Sequence, residues 1–354
     1  VESLENGHVH RPMIQRIFYV VLRTYVWVGL HFYFRQLRVT GTQHIPKGAV
    51  LFAANHQNAF LDALLIVCSS KRYTHFLTRA DIFRNNWVKK LLGLINLIPI
   101  YRIRDGWQSL GENQTTFDRC TDILLQGEAL VIFPEGNHGW KRQLRPLSKG
   151  FTRALQGALE QQPQQPVHVV PVGINYTAHE PFRTSVHVVY GPNFTANEIY
   201  RPNDPASALA LREHLTQRMQ PLITHIPEQH YEPVYAALEA TRPDYLDPIA
   251  LNEQVARLIG SPAPTARPQP TPTIHLSYRL WRLVHFAPLL LWTNIRSKIK
   301  DPVFAASVKF AFGIFAVPAW QGSLSIVLAV TIGPWPALLF FILLLVWTYS
   351  LPRA

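Results

Sequence analysis

The chain has 354 residues, 48% of them hydrophobic, enough for one large or two smaller domains with a sizeable buried core. Lys and Arg outnumber Asp and Glu by 34 to 22, and a net charge of +12 implies an anionic partner, but the basic residues are dispersed and form no dense basic helix, which argues against nucleic-acid binding. The two cysteines, Cys68 and Cys120, lie far apart and form no CxxC, excluding a disulfide framework or zinc knuckle, while nine Trp lean toward a membrane interface.

Taken in chain order, residues 14–34 (IQRIFYVVLRTYVWVGLHFYF) are apolar and aromatic but interrupted by Arg16, Arg23 and His31. A charge in mid-span is costly, so this segment is expected to lie in a membrane interface rather than cross it. Gly41, Pro46 and Gly48 mark 36–46 as turn-rich. AVLFAANH (49–56) then predicts a buried strand, 61–68 a helix and 71–80 another strand region. The segment 87–102 predicts a helix running into a strand at 97–102, and 109–126 a helix. ALVIFPEG (129–136) predicts a strand, 148–160 a helix, and VHVVPVGINY (167–176) and TSVHVVYGP (184–192) two more strands. Residues 204–224 predict a closing helix.

Strands alternating with helices imply an α/β domain with a mainly parallel central sheet flanked by helices. The expected organisation is an N-terminal amphipathic interface helix at 1–35, the α/β domain at 36–225, a helical connector at 226–300, and a membrane hairpin at 301–354. The connector carries helical patches at 232–240 and 249–259 and a Pro-rich linker, GSPAPTARPQPTPT, at 260–273. In the hairpin, 303–332 is uncharged apart from Lys309, and 337–349 is wholly apolar. A span needs about 20 apolar residues, which the first arm supplies and the second falls short of. The basic stretch NIRSKIK (294–300) is expected to face the cytoplasm.

Four blocks carry candidate chemistry. The first is NHQNAFLD, in which strand 49–54 delivers His56 to the C-terminal end of the sheet, where α/β folds place reacting groups. Asp62 follows six positions later. A carboxylate that fixes the tautomer of a histidine and stabilises its imidazolium makes it an effective base, provided the chain turns between the two. The second is LVIFPEGNHG, where Glu135 can hold an Arg or a hydroxyl and Gly136 lets backbone N–H approach an anion. The third is LIPIYR, where Arg102, with Arg104 as an alternative, offers a planar fork suited to phosphate. The fourth is VVPVGINY, with turn residues Pro171 and Gly173. No GxSxG occurs, which argues against a serine hydrolase, and the 15 His form no HExxH or other close ligand set.

In this order, NHxxxxxD, PxxR, FPEG and VPVG, the blocks resemble the glycerophospholipid acyltransferase (PlsC-like) superfamily, of the 1-acyl-sn-glycerol-3-phosphate acyltransferase type. The core of the resemblance covers about residues 49–176, and RPLSKG (145–150) matches the basic segment that often follows FPEG. It implies transfer of a fatty acyl group from acyl-CoA or acyl carrier protein to a hydroxyl of a lysophospholipid or glycerol phosphate, on the cytoplasmic face of a membrane, with no metal or organic cofactor. By motif, His56 would take the hydroxyl proton and Asp62 would orient it. Arg102 would bind the acceptor phosphate, with Glu135, Gly136 and Lys149 around it. Pro171 would shape the acyl or donor site. Two departures stand out: His-x5-Asp replaces the commoner x4 spacing, resembling the branch with some glycerol-3-phosphate and dihydroxyacetone-phosphate acyltransferases, and FPEGNH replaces FPEGTR. The second leaves Arg102, Arg142, Arg145 or Lys149 to hold the phosphate.

Overall fold

The computed structural model describes residues 13–79, 96–100, 109–260 and 275–352. Its centre is one sheet, built from β1 (Gln36–Thr40), β2 (Ala49–Ala54), β3 (Thr74–Arg79), β4 (Leu97–Ile100), β5 (Ala129–Ile132), β6 (Val167–Tyr176), β7 (Ser185–Tyr190) and β8 (Phe194–Thr195). The order is β1-β7-β6-β2-β5-β3-β4, with β8 also on β6. Every ladder is parallel except β6 with β7 and β6 with β8. β2 lies between β6 and β5 and is buried along its whole length, which is why AVLFAA is apolar at every position rather than alternating.

The two faces of the sheet divide by strand parity. Val50, Phe52 and Ala54 join one apolar cluster, with Val131, Val172 and Ile174; Ala49, Leu51 and Ala53 join the other, with Leu130 and Val169. The first face is covered by α1 (Met13–Tyr33), α2 (Phe60–Ser69) and the start of a long later helix, through Leu30, Leu61, Leu65 and Phe310. The second is covered by α3 (Ser109–Leu125), α4 (Gly150–Gln161) and α5 (Pro205–Met219). α5 begins as its sequence dictates, with Asp204 accepting a hydrogen bond from the Ala206 N–H and Pro205 at the first position. α3 and α4 pack so closely that a Cβ on Gly157 would come within 2.0 Å of Thr121 Oγ1.

The structure departs from the turn-rich reading of 36–46: Gln36–Thr40 is an edge strand pairing with β7. Its residues show no run of apolar side chains, and its partner lies about 150 positions away, so only tertiary contact makes it a strand.

The connector divides into two packed parts. α6 (Tyr231–Ala240) and α7 (Pro248–Leu258) enclose their own cluster of Ile226, Val234, Leu238 and Leu251. Arg142 ties it to the α/β domain: its N–H donates to Tyr231 Oη, its guanidinium to the Tyr176 carbonyl (2.7 Å), and it lies 3.8 Å from the Tyr245 ring centroid. The Pro-rich stretch falls outside the described residues, except Gly260. The second part, α8 (Leu276–Val284) and α9 (Phe286–Ser297), packs with the hairpin, α10 (Val303–Thr331) and α11 (Pro334–Ser350). Gln321 of α10 and Trp281 of α8 both donate to Thr348 Oγ1 of α11 at 3.0 Å.

α10 is long and apolar enough to cross a membrane. Its 17-residue partner α11 is about 26 Å long at ~1.5 Å per residue, short of a full crossing. The first turns of α10 bury Ala305, Ala306, Ser307 and Phe310 in the α/β domain.

Candidate active site

β2 ends at Ala54, and Asn55 then behaves as an extra rung of the sheet: its amide donates to the Ile174 carbonyl (3.0 Å) and accepts from the Ile174 N–H (2.7 Å). This clamp sets where the chain leaves the sheet. Residues 56–59 turn sharply, with Ala59 at φ +47°, into α2. Asp62, in the first turn of α2, is thereby swung back onto the loop that precedes it.

Asp62 is fully buried and receives four hydrogen bonds. Oδ2 accepts from His56 Nδ1 (2.9 Å) and from the N–H groups of Gln57 (2.7 Å) and Asn58 (2.8 Å); Oδ1 accepts from Tyr176 Oη (2.6 Å). Such donors offset the cost of burying a carboxylate. Burial, then the Asp62 charge and hydrogen bond, hold the Tyr176 hydroxyl well above its ordinary pKa, so it stays a donor. Because Asp62 only accepts, the proton of neutral His56 sits on Nδ1 and the lone pair on Nε2. The ring stacks on Phe133 at 3.9 Å between centroids, which sets its plane.

The FPEG loop closes over the same histidine. Gly136, at φ +73°, donates its N–H to the Phe133 carbonyl, a turn conformation that suits glycine. The Gly139 N–H and Arg145 Nη2 both donate to the His56 carbonyl at 3.2 Å. Arg145 also ion-pairs with Glu135 and donates to the side chain and carbonyl of Asn137. Glu135 is buried, and desolvation pushes its pKa up to about 7 despite the opposing pull of Arg145 and a backbone hydrogen bond from His56. The result is a histidine with an oriented base nitrogen, flanked by a guanidinium held on a glycine-containing loop: a base beside a cationic, anion-compatible surface.

Residues 36–175 match the family described as Acyltransferase. This span, about two-fifths of the chain, is similar to that family. A "Probable 1-acyl-sn-glycerol-3-phosphate acyltransferase" of Mycoplasma pneumoniae is 26% identical over 158 residues, 43% of this chain and 54% of its own length. The chloroplastic 1-acyl-sn-glycerol-3-phosphate acyltransferase of Arabidopsis thaliana is 24% identical over 135 residues, 37% of this chain and 36% of the relative. Glycerol-3-phosphate O-acyltransferase 2 of Saccharomyces cerevisiae is 26% identical over 121 residues, 33% of this chain and 16% of the relative. The chain thus spans about half or less of the length of the curated relatives it matches. The crystal structure of the 1-acyl-sn-glycerophosphate (LPA) acyltransferase PlsC from Thermotoga maritima overlays with a TM-score of 0.43 at 16% identity, covering 60% of this chain and 82% of that one.

Of the residues singled out from sequence, the α/β domain brings His56, Asp62, Glu135 and Gly136 together. Lys149 stands exposed at the start of α4, its carbonyl accepting from Thr152 Oγ1. Arg142, an alternative phosphate ligand, is buried in the tie to Tyr176 and Tyr245, so among the described members of that group Arg145 is the cation that reaches His56. Pro171 lies inside β6, where its carbonyl accepts from the Gly191 N–H. Its missing N–H points to the same side, in the gap between the β8 ladder, ending at Val169, and the β7 ladder, starting at Val172. Arg102 and Arg104 lie outside the described residues.

Four contributors escaped the sequence reading. Tyr176 closes the VPVGINY block and caps Asp62; Asn55 precedes the histidine and clamps it to β6. His179 Nε2 lies 3.3 Å from Gln57 Oε1, and burial with the nearby Arg142 charge lowers its pKa to about 3, so it is neutral and donates. Ser307, on α10, accepts from the Leu61 N–H (2.9 Å) and donates to the Asn58 carbonyl (2.6 Å), while Phe304 meets His138 edge-on at 4.9 Å. The first two stand within the motif blocks and were readable there as polar residues at strand ends. Ser307 lies 251 positions from His56, and no local pattern points to it.

Proposed function

We propose that the protein transfers a fatty acyl group from acyl-CoA or acyl carrier protein to the free hydroxyl of lysophosphatidic acid, giving phosphatidic acid. The observation that carries this reading is the His56 Nδ1–Asp62 Oδ2 contact of 2.9 Å at the end of β2, with the Glu135–Arg145 loop closed over it. His56 Nε2 takes the acceptor's hydroxyl proton as the oxygen attacks the thioester carbonyl. The C–S bond breaks, and the imidazolium returns the proton to the leaving thiolate. Asp62 stabilises that imidazolium, and Tyr176 holds Asp62 in place. Arg145, on its Glu135 and Gly136 loop, neutralises the acceptor phosphate, and by motif Arg102 and Lys149 would be further phosphate ligands. Pro171 would affect the acyl site only indirectly, through the β6 backbone. The relatives named for 1-acyl-sn-glycerol-3-phosphate support this acceptor.

Glycerol 3-phosphate is the second reading, favoured by the His-x5-Asp spacing and by the yeast relative. The α/β domain would face the cytoplasm, with α1 in the interface, the 294–300 basic stretch on the same side, and α10 in the bilayer. The test offers radiolabelled oleoyl-CoA to purified protein with each acceptor in turn. Product formed from lysophosphatidic acid and lost in His56→Ala supports the reading. Product from glycerol 3-phosphate alone moves the acceptor, and no product from either with CoA and carrier-protein donors rejects acyl transfer.

A further inference from the structure

A cavity of about 530 Å³ lies between α1, α8, α9, α10, α11 and the loop joining β6 to β7, within the size range of ligand sites. Its walls are aromatic and aliphatic, with Phe32, Trp292, Phe312 and Val317 among them, and one cation, Lys309, stands in that lining. Lys309 Nζ donates to the backbone carbonyl of Glu180 at 2.8 Å and lies 5.5 Å from the Trp292 ring centroid. The Glu180 carboxylate is turned to Arg296 instead, at 2.7 and 3.3 Å. One carboxylate thus faces two cations, leaving a surplus positive charge at this end, and an ammonium has three N–H groups, of which one is used here. One turn further along α10, Gly313 also lines the cavity, and a Cβ there would meet nothing within 4 Å. The charged end adjoins the site already described: His179, next to Glu180, bonds Gln57, and Ser307, two residues before Lys309, bonds the loop between His56 and Asp62.

We propose that this cavity binds an anionic single-chain lipid, with its head oxygen on Lys309 and its chain running past Gly313 between α1 and the C-terminal helices. This binding does not rest on the acyl-transfer reading. The test measures binding to the full chain in detergent, in the His56→Ala background so that no lipid is consumed, with oleoyl-lysophosphatidic acid, monooleoylglycerol and glycerol 3-phosphate as probes. The phosphorylated lipid should bind roughly tenfold tighter than monooleoylglycerol, the scale of a hydrogen bond to a charged group, and glycerol 3-phosphate far more weakly than either. Lys309→Gln, which removes the charge and keeps an N–H donor, should remove that tenfold advantage and leave monooleoylglycerol binding unchanged, while Lys309→Arg keeps it. Gly313→Leu should weaken both lipids at least tenfold with an unchanged melting temperature. Full affinity in Gly313→Leu, a persisting advantage in Lys309→Gln, or glycerol 3-phosphate binding as tightly as the lipid would each overturn the proposal. Binding as expected without any acyl transfer by the unmutated protein would overturn the reaction reading alone.

Discussion

The α/β domain and the helices around it dispose of their apolar side chains in opposite ways. In the α/β domain, apolar side chains are hidden on both faces of the sheet, and the buried Asp62 carboxylate is closed off by hydrogen bonds. On α1 and α8–α11 many large apolar side chains point outward. Apart from Trp140, Leu209 and Ile249, every exposed large apolar residue among the described residues lies between 13 and 28 or between 276 and 349. A surface of that kind marks a membrane or partner contact rather than a water-facing one. The two regions meet where α10 enters the domain, and there the pattern reverses: Ser307, on the apolar helix, supplies the polar contact that holds the loop between His56 and Asp62. The helices are therefore more than an anchor, because one of them completes the scaffold of the site.

The sharpest test of the domain side is its chemistry. His56→Ala and Asp62→Asn should each lower kcat/KM for acyl transfer by roughly 10⁴, while His56→Ala leaves the melting temperature unchanged. Next in size is the packed sheet: Phe52→Ala, fully buried on β2, should cost about 3–5 kcal/mol in a denaturant titration. The junction comes third. Ser307→Ala removes the hydroxyl that bridges the Leu61 N–H and the Asn58 carbonyl, worth about 1–3 kcal/mol, and should lower kcat more than it raises KM, with Ser307→Thr restoring most of the rate. A rate unchanged by Ser307→Ala would reduce α10 to an anchor.

On the outward face, Val330→Lys (84% exposed) should change stability in detergent by less than about 0.5 kcal/mol yet reduce the membrane-bound fraction in a flotation assay. If the bound fraction holds, the exposed apolar face serves another partner. The smallest expected effect is the pH linkage of Glu135. Its carboxyl holds a proton more tightly in the folded chain, at about 7 against an ordinary 4.5, so its contribution to stability falls as pH rises through that interval. Glu135→Gln should flatten this part of a plot of melting temperature against pH.

What could be read locally was read well. The runs AVLFAA, ALVI and VHVVPVGINY form central strands because a strand buried on both faces needs apolar residues at every position, a requirement visible in one short window. The helix at 60–69 and the hairpin helices follow from apolar runs of helical length. His56 and Asp62 were legible as a pair of chemically matched residues around a turn, but their contact depends on the Ala59 backbone and the Asn55 clamp, which no spacing states. β1 is a strand only because β7 offers it a ladder. Arg142 and Arg145 look alike in sequence, yet burial under Tyr245 makes the first a structural tie, and the reach to the His56 carbonyl brings the second to the site. Apolar periodicity and motif order are properties of the chain itself, so composition and neighbour spacing reveal them. Which cation meets which carboxylate, and which distant serine braces a loop, depends on groups brought within hydrogen-bonding distance by packing, and that becomes defined only when the sheet and its helices close.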